Sequence, residues 1–79
     1  MQTIFIEIKC GLGQSYHVAR ALVDIEGVSE VYSISGPYDL LVKCYLPSGD
    51  DVGHFVNEGI QQVDGITDTM TMITFNAFS

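Results

Sequence analysis

Positive charge is scarce in this chain. Lys9, Arg20 and Lys43 are its only cations against ten Asp and Glu residues, giving a formal net charge of −7 over 79 residues. Proteins hold nucleic acid largely by neutralising phosphates with Lys and Arg, so three scattered cations argue against direct DNA or RNA contact. The same deficit argues against an anionic membrane surface. No apolar run approaches the roughly 20 residues of a membrane span, and no basic-then-apolar leader opens the chain. A soluble, cytoplasmic protein is the expectation.

Cysteine is scarce too. Cys10 and Cys44 lack CxxC spacing, which removes the common metal-site and thioredoxin-like patterns. Each continues an apolar strand pattern, so buried free thiols are expected rather than a disulfide. His17 and His54 sit in no H-E-x-x-H or paired-histidine spacing, and no nucleophile elbow is present. Gly11-Leu12-Gly13 joins a strand to a helix but lacks the third glycine and the lysine of a phosphate loop, so it reads as a plain turn. No metal ligands, cofactor or catalytic residues are predicted.

What the chain does have is apolar pattern. Its length allows a single domain, residues 1–79, and 47% of it is hydrophobic. That is more apolar surface than one small monomer comfortably buries, which favours self-association. Thr3–Cys10 alternates with period two, placing Ile4, Ile6, Ile8 and Cys10 on one face. Gln14–Glu26 carries Val18, Ala21, Leu22 and Ile25 at helical spacing, with Gly27 suited to its C-terminal cap. Val28–Ser35 and Asp39–Leu46 read as the strands of a hairpin around Ser35-Gly36-Pro37-Tyr38-Asp39. Asp51–Val63 is a second helical stripe, with Asp50 or Ser48 as its cap. Ile66–Phe78 is a final strand rich in threonine, methionine and aromatic residues.

The order βαββαβ predicts an α+β, ferredoxin-like fold. Its four-stranded antiparallel sheet runs 4-1-3-2, with both helices on one face. The other face, bearing Phe5, Leu41 and Tyr45 among Glu7, Lys9 and Lys43, is expected to pair two copies into a dimer. The topology also brings the end of the first strand, the Gly36–Asp39 corner and the start of the last strand to one end of the sheet. Asp39 fits two roles there, bonding backbone amides within the turn or accepting a bond from a ligand ammonium. Thr69 and Thr71 point to one face, either as ordinary strand formers or as hydroxyls for a small polar ligand.

At these same residues the sequence resembles the C-terminal effector-binding domain of the Lrp/AsnC family, the domain of regulation of amino-acid metabolism. The resemblance rests on Val28, Val31, Ile34, Gly36, Tyr38, Asp39, Leu40 and Leu41 around the corner. It continues in Phe55, Ile60, Val63, Gly65, Ile66, Thr69, Thr71 and Ile73. It covers nearly the whole chain, and the family's usual N-terminal helix-turn-helix is absent from it, as in stand-alone members. The resemblance implies a non-enzymatic module that binds an amino-acid effector between dimers of a ring, an octamer or decamer. Output through full-length Lrp/AsnC regulators is implied in the same way. Carried over by position, the effector-binding residues are Gly36, Tyr38, Asp39, Thr69 and Thr71. Two other readings compete with it: a small dimeric α+β-barrel enzyme of oxygenase type, and a structural oligomer without a ligand.

Overall fold

The computed structural model describes residues 1–79 and contains four strands and two helical segments. In chain order these are β1 (Gln2–Cys10), α1 (Ser15–Leu22), β2 (Val28–Ser33), β3 (Leu40–Leu46), α2 (Val52–His54, continued by a π-helical stretch Phe55–Ile60) and β4 (Ile66–Ile73). Every strand pairing is antiparallel and the sheet order is β2-β3-β1-β4, the predicted arrangement. β1 is therefore bonded on both edges. Its alternation decides which way the whole sheet faces, because cross-strand neighbours share a face.

Ile4, Ile6, Ile8 and Cys10 point towards the helices and meet Leu40, Val42, Cys44 and Leu46 from β3. Val18 and Leu22 from α1, with Val56 and Ile60 from α2, close this core from above. No polar or charged side chain is buried in it. At about 25 cal/mol per Å² of apolar surface removed from water, this continuous aliphatic layer is the main stabilising term.

The helices differ in detail from their sequence patterns. α1 stops at Leu22, four residues early, and the chain then tightens through i→i+3 bonds from Ile25 N to Leu22 O and Val28 N to Ile25 O. Ile25 still packs on the core from this turn. Gly27 does not cap the helix. It enters β2 at φ +98°, and its carbonyl accepts the Tyr45 amide at 2.8 Å. α2 is a single α-turn, Val52–His54, followed by a π-helical stretch, Phe55–Ile60. Gln61 N reaches back to Val56 O at 2.8 Å, an i→i+5 bond. Gly53 and Gly59 weaken the α preference of this segment, and the Phe55 ring packs beside Gly59 and Gly27. Its cap is Asp51, whose Oδ1 accepts the His54 amide at 3.0 Å, and neither Asp50 nor Ser48.

The strands are also shorter than their patterns. β2 ends at Ser33, β3 starts at Leu40, and β4 ends at Ile73. β4 pairs with β1 as far as Ile73, opposite Ile4, and Thr74 then bonds to the Thr3 carbonyl through its amide and its hydroxyl.

On the uncovered face, register aligns Tyr32, Leu41, Glu7 and Met70 in one row and Glu30, Lys43, Phe5 and Met72 in the next. The expected Phe5, Leu41 and Tyr45 are there, and β4 adds two methionines. A polar cluster crosses one side of it. Tyr32 donates to Glu30, Lys43 lies 3.6 Å from Glu30, and the Lys43 ammonium stands 5.1 Å from the Tyr45 ring centre. The Tyr32 hydrogen bond holds Glu30 below the usual carboxylate value.

Two glycines of similar backbone conformation separate strain from crowding. Gly65 (φ +102°) would place a Cβ 2.9 Å from the buried Val18 Cγ2, whereas Gly36 (φ +108°) has nothing within 4 Å. Gly36→Ala is expected to cost about 1–2 kcal/mol of backbone strain. Gly65→Ala should lose at least about 1 kcal/mol more through overpacking, read as the difference in urea midpoints. Equal losses would show that Val18 yields freely.

Both cysteines are free and buried. Burial pushes the Cys44 thiol from 9.0 up to about 11. Because the native state then holds its proton more tightly than the unfolded chain, this contribution is complete below pH 9. It is lost as pH rises towards 11. Unfolding midpoints across pH 8–11 should fall, and fall less steeply in Cys44→Val.

Candidate functional site

The corner between β2 and β3 is held by one side chain. Asp39 N donates to Ile8 O at 2.9 Å, and Asp39 O accepts from Ile34 N at 3.0 Å. Its carboxylate Oδ2 accepts the Cys10 amide at 2.7 Å. Ile8 and Cys10 present their backbone groups to the β3 side of β1, so Cys10 N points where β3 has already turned away. The carboxylate takes the place of a strand carbonyl there. Without it a part-buried amide would lose its partner.

Lys9 Nζ lies 3.8 Å from the same Oδ2. The carboxylate is about one-third exposed, and Oδ1 has no protein partner. Burial, and next the Asp39 charge, raises the Cys10 thiol above its ordinary value. Within the corner, Gly36 and Pro37 are exposed and Tyr38 is half-buried.

Thr69 and Thr71 lie on the other side of β1, paired with Ile8 and Ile6. Since those isoleucines face the helices, both threonines lie on the helix side of the sheet, along its β4 edge. Thr69 is not free: Gln61 Nε2 donates to its Oγ1 at 2.8 Å, and its own amide donates to Asp68 Oδ1 at 2.9 Å. Thr67 Oγ1 donates to Lys9 O at 3.2 Å, continuing the end of β1 from that side. A small polar cleft of about 270 Å³ opens here between Gln61 and the start of β4.

The structure thus brings the Gly36–Asp39 corner and the start of β4 to the same end of the sheet, with β1 between them. By register Asp39 stands opposite Lys9 on the open-face side, whereas Thr69 and Thr71 are on the helix side. Gln61 was missed in the sequence. Helical periodicity marks it as a polar position after the stripe, and only the folded chain reveals that it spans from α2 to β4. His17 and His54 are both exposed and belong to neither half.

Asp39 can be tested by conservative change. Asp39→Ala leaves the Cys10 amide unpaired and is expected to cost about 1–3 kcal/mol. Asp39→Asn keeps an acceptor oxygen and loses chiefly the half-exposed Lys9 attraction, worth at most about 1 kcal/mol. Equal losses in chemical denaturation would refute the carboxylate's place in the strand ladder.

Comparison with known proteins agrees with this fold. The family described as the Lrp/AsnC ligand binding domain matches residues 3–79. An uncharacterised HTH-type transcriptional regulator of Pyrococcus abyssi is 36% identical over 78 residues, covering 94% of this chain and 51% of the relative. A homocitrate synthase of Sulfolobus acidocaldarius is 38% identical over 69 residues, which are 86% of this chain but 14% of that enzyme. The chain spans about half the length of the regulators it matches. Among solved structures, a protein of Thermus thermophilus superposes with a TM-score of 0.92 at 30% identity, covering 100% of this chain and 99% of that one. AsnC of E. coli gives a TM-score of 0.90 at 25% identity over 99% of this chain and 53% of its own. With the family match spanning nearly every residue, and with the sheet order and corner in place, the chain belongs to the Lrp/AsnC ligand-binding domain family.

Proposed function

We propose that this chain is a non-enzymatic, cytoplasmic effector-binding module whose ligand is an amino acid. The observation that carries the reading is the Asp39 carboxylate. It is fixed in position by its own backbone and by Cys10, yet keeps one oxygen without a protein partner at the exposed corner. A pre-positioned carboxylate suits a ligand ammonium, since little ordering remains to be done on binding. Backbone amides around Gly36 take the ligand carboxylate. Tyr38 packs against its side chain or against a neighbouring copy.

Thr69 and Thr71 supply the remaining polar contacts. Because they and Asp39 occupy opposite sides of the sheet end, the two halves address a shared ligand most directly from different copies. Such a site is complete only in an assembly. Dimers form through the open face, where Phe5, Leu41, Tyr45, Met70 and Met72 gather, and dimers join into an octamer or decamer. A ligand bound only by the assembled state shifts mass action towards it.

The interior supports binding over catalysis. The space between helices and sheet, where a barrel-type enzyme would keep its site, is packed with Ile, Val, Leu and Cys. The partial match to homocitrate synthase supports a portable regulatory unit. Full-length Lrp/AsnC regulators are the natural listeners for this one.

A thermal-shift screen against the twenty amino acids, with size read by light scattering, tests the reading. At a hundredfold excess over Kd, binding adds about 2.7 kcal/mol, or roughly 10 °C or more for a domain this small. Asp39→Asn, which keeps the fold, should abolish the shift. If no amino acid moves either the melting temperature or the size, a ligand-free structural oligomer is the better reading.

A further inference from the structure

The two ion pairs of the chain are built differently. Lys43 is enclosed by partners: Glu30 lies 3.6 Å away and already accepts from Tyr32, and the Tyr45 ring stands beneath the ammonium. Lys9 and Asp39 are left open. Lys9 Nζ is 3.8 Å from Asp39 Oδ2, close enough for attraction and too far for a hydrogen bond. Oδ2 is committed to the Cys10 amide, Oδ1 has no protein partner, and the ammonium donates to no protein atom. The Lys9 side chain is 46% exposed, so water reaches its donors.

The backbone under this pair is held on both sides. Thr67 Oγ1 donates to the Lys9 carbonyl at 3.2 Å from the β4 side, and Asp39 holds the next amide from the β3 side. Asp68 stands opposite Lys9 on β4, but its Oδ1 accepts the Thr69 amide at 2.9 Å and it forms no ion pair with Lys9. Arg20 lies in the last turn of α1, and Lys43 belongs to Glu30. Lys9 is thus the one positive charge at the corner, set beside a carboxylate in a chain of net charge −7.

Resting on the reading of this corner as an amino-acid site, we propose that Lys9 binds the ligand carboxylate, so that the Lys9–Asp39 pair holds both charges of an α-amino acid zwitterion. The ammonium and carboxylate of such a ligand hang from the same carbon. Their charges lie no further apart than those of the pair, so the ligand can bridge both at once. Backbone amides around Gly36 give the carboxylate neutral donors, and Lys9 adds a charged one, the stronger kind. Lys9 also decides what is refused. Asp39 alone, on so acidic a chain, attracts any amine. With Lys9 beside it, an amine that lacks the carboxylate leaves the ammonium unmatched, and a simple carboxylic acid meets the repulsion of Asp39. The charged head group is then held by one copy, which leaves Thr69 and Thr71 of a neighbouring copy to meet the side chain.

Calorimetric titration of the intact chain with the twenty L-amino acids and their α-carboxamides tests it. A carboxamide keeps the ammonium and the side chain but loses the carboxylate charge. The parent chain is expected to bind an amino acid roughly tenfold or more tightly than its carboxamide. Lys9→Met, which keeps an unbranched stem without the charge, should weaken the amino acid roughly tenfold or more and leave the carboxamide within about twofold. Lys9→Arg should recover the preference. Amino-acid binding by Lys9→Met within about twofold of the parent overturns the proposal. Equal loss of amino acid and carboxamide also overturns it, as does a loss that Lys9→Arg does not recover, because Lys9 then only shapes the corner. Those results leave the amino-acid reading standing. A parent chain that responds to no amino acid removes both readings together.

Discussion

Strand β1 is hydrogen-bonded along both edges, and the rest of the molecule is placed by that fact. A central strand has no freedom of register once Ile4, Ile6, Ile8 and Cys10 are aimed at the helices. A slip of one residue would bury Phe5, Glu7 and Lys9 in their stead. β3 and β4 take their facing from it, and the helices settle on the aliphatic layer that results. The Gly36–Asp39 corner inherits its position from the same strand. Asp39 is bonded to Ile8 and Cys10, the last residues of β1 on the β3 side, so the corner is as fixed as the sheet itself.

That attachment makes a corner with exposed Gly36 and Pro37 a fixed element and not a loose loop. Backbone and carboxylate bonds hold it from beneath, and its other side faces solvent. The β4 half is built differently. Thr69 is braced by Gln61 and Asp68, so its position depends on where α2 ends. The π-helical stretch of α2 sets that end, because i→i+5 bonding alters where Gln61 emerges relative to an ordinary helix. The two halves of the candidate site are thus positioned by different parts of the fold, and β1 is the element between them.

The acidic composition and the open face belong to one account. Strong net charge keeps a chain with this much apolar surface from associating indiscriminately, and the apolar patches mark where specific contact is favourable. On the open face the cluster of Tyr32, Glu30, Lys43 and Tyr45 satisfies its own charges within one copy. Phe5, Leu41 and the two methionines are left as its apolar surface.

Fold class, strand order, the core faces of the strands and the corner at Gly36–Asp39 were all legible in the sequence. Each is written in short-range periodicity or in a resemblance that spans the chain. The open-face trio Phe5, Leu41 and Tyr45 was legible for the same reason. Element ends were not: α1 yields to i→i+3 turns at Leu22, β4 stops at Ile73, and Gly27 serves β3 instead of capping a helix. Nor could period alone foretell that α2 would open into a π-helix around Gly59. Folding alone settled that Asp39 stands in for a β3 carbonyl and that Thr69 and Thr71 turn to the helix side. Those outcomes depend on which atoms the neighbouring strands leave unpaired, a property of the assembled sheet that no single segment of the chain carries.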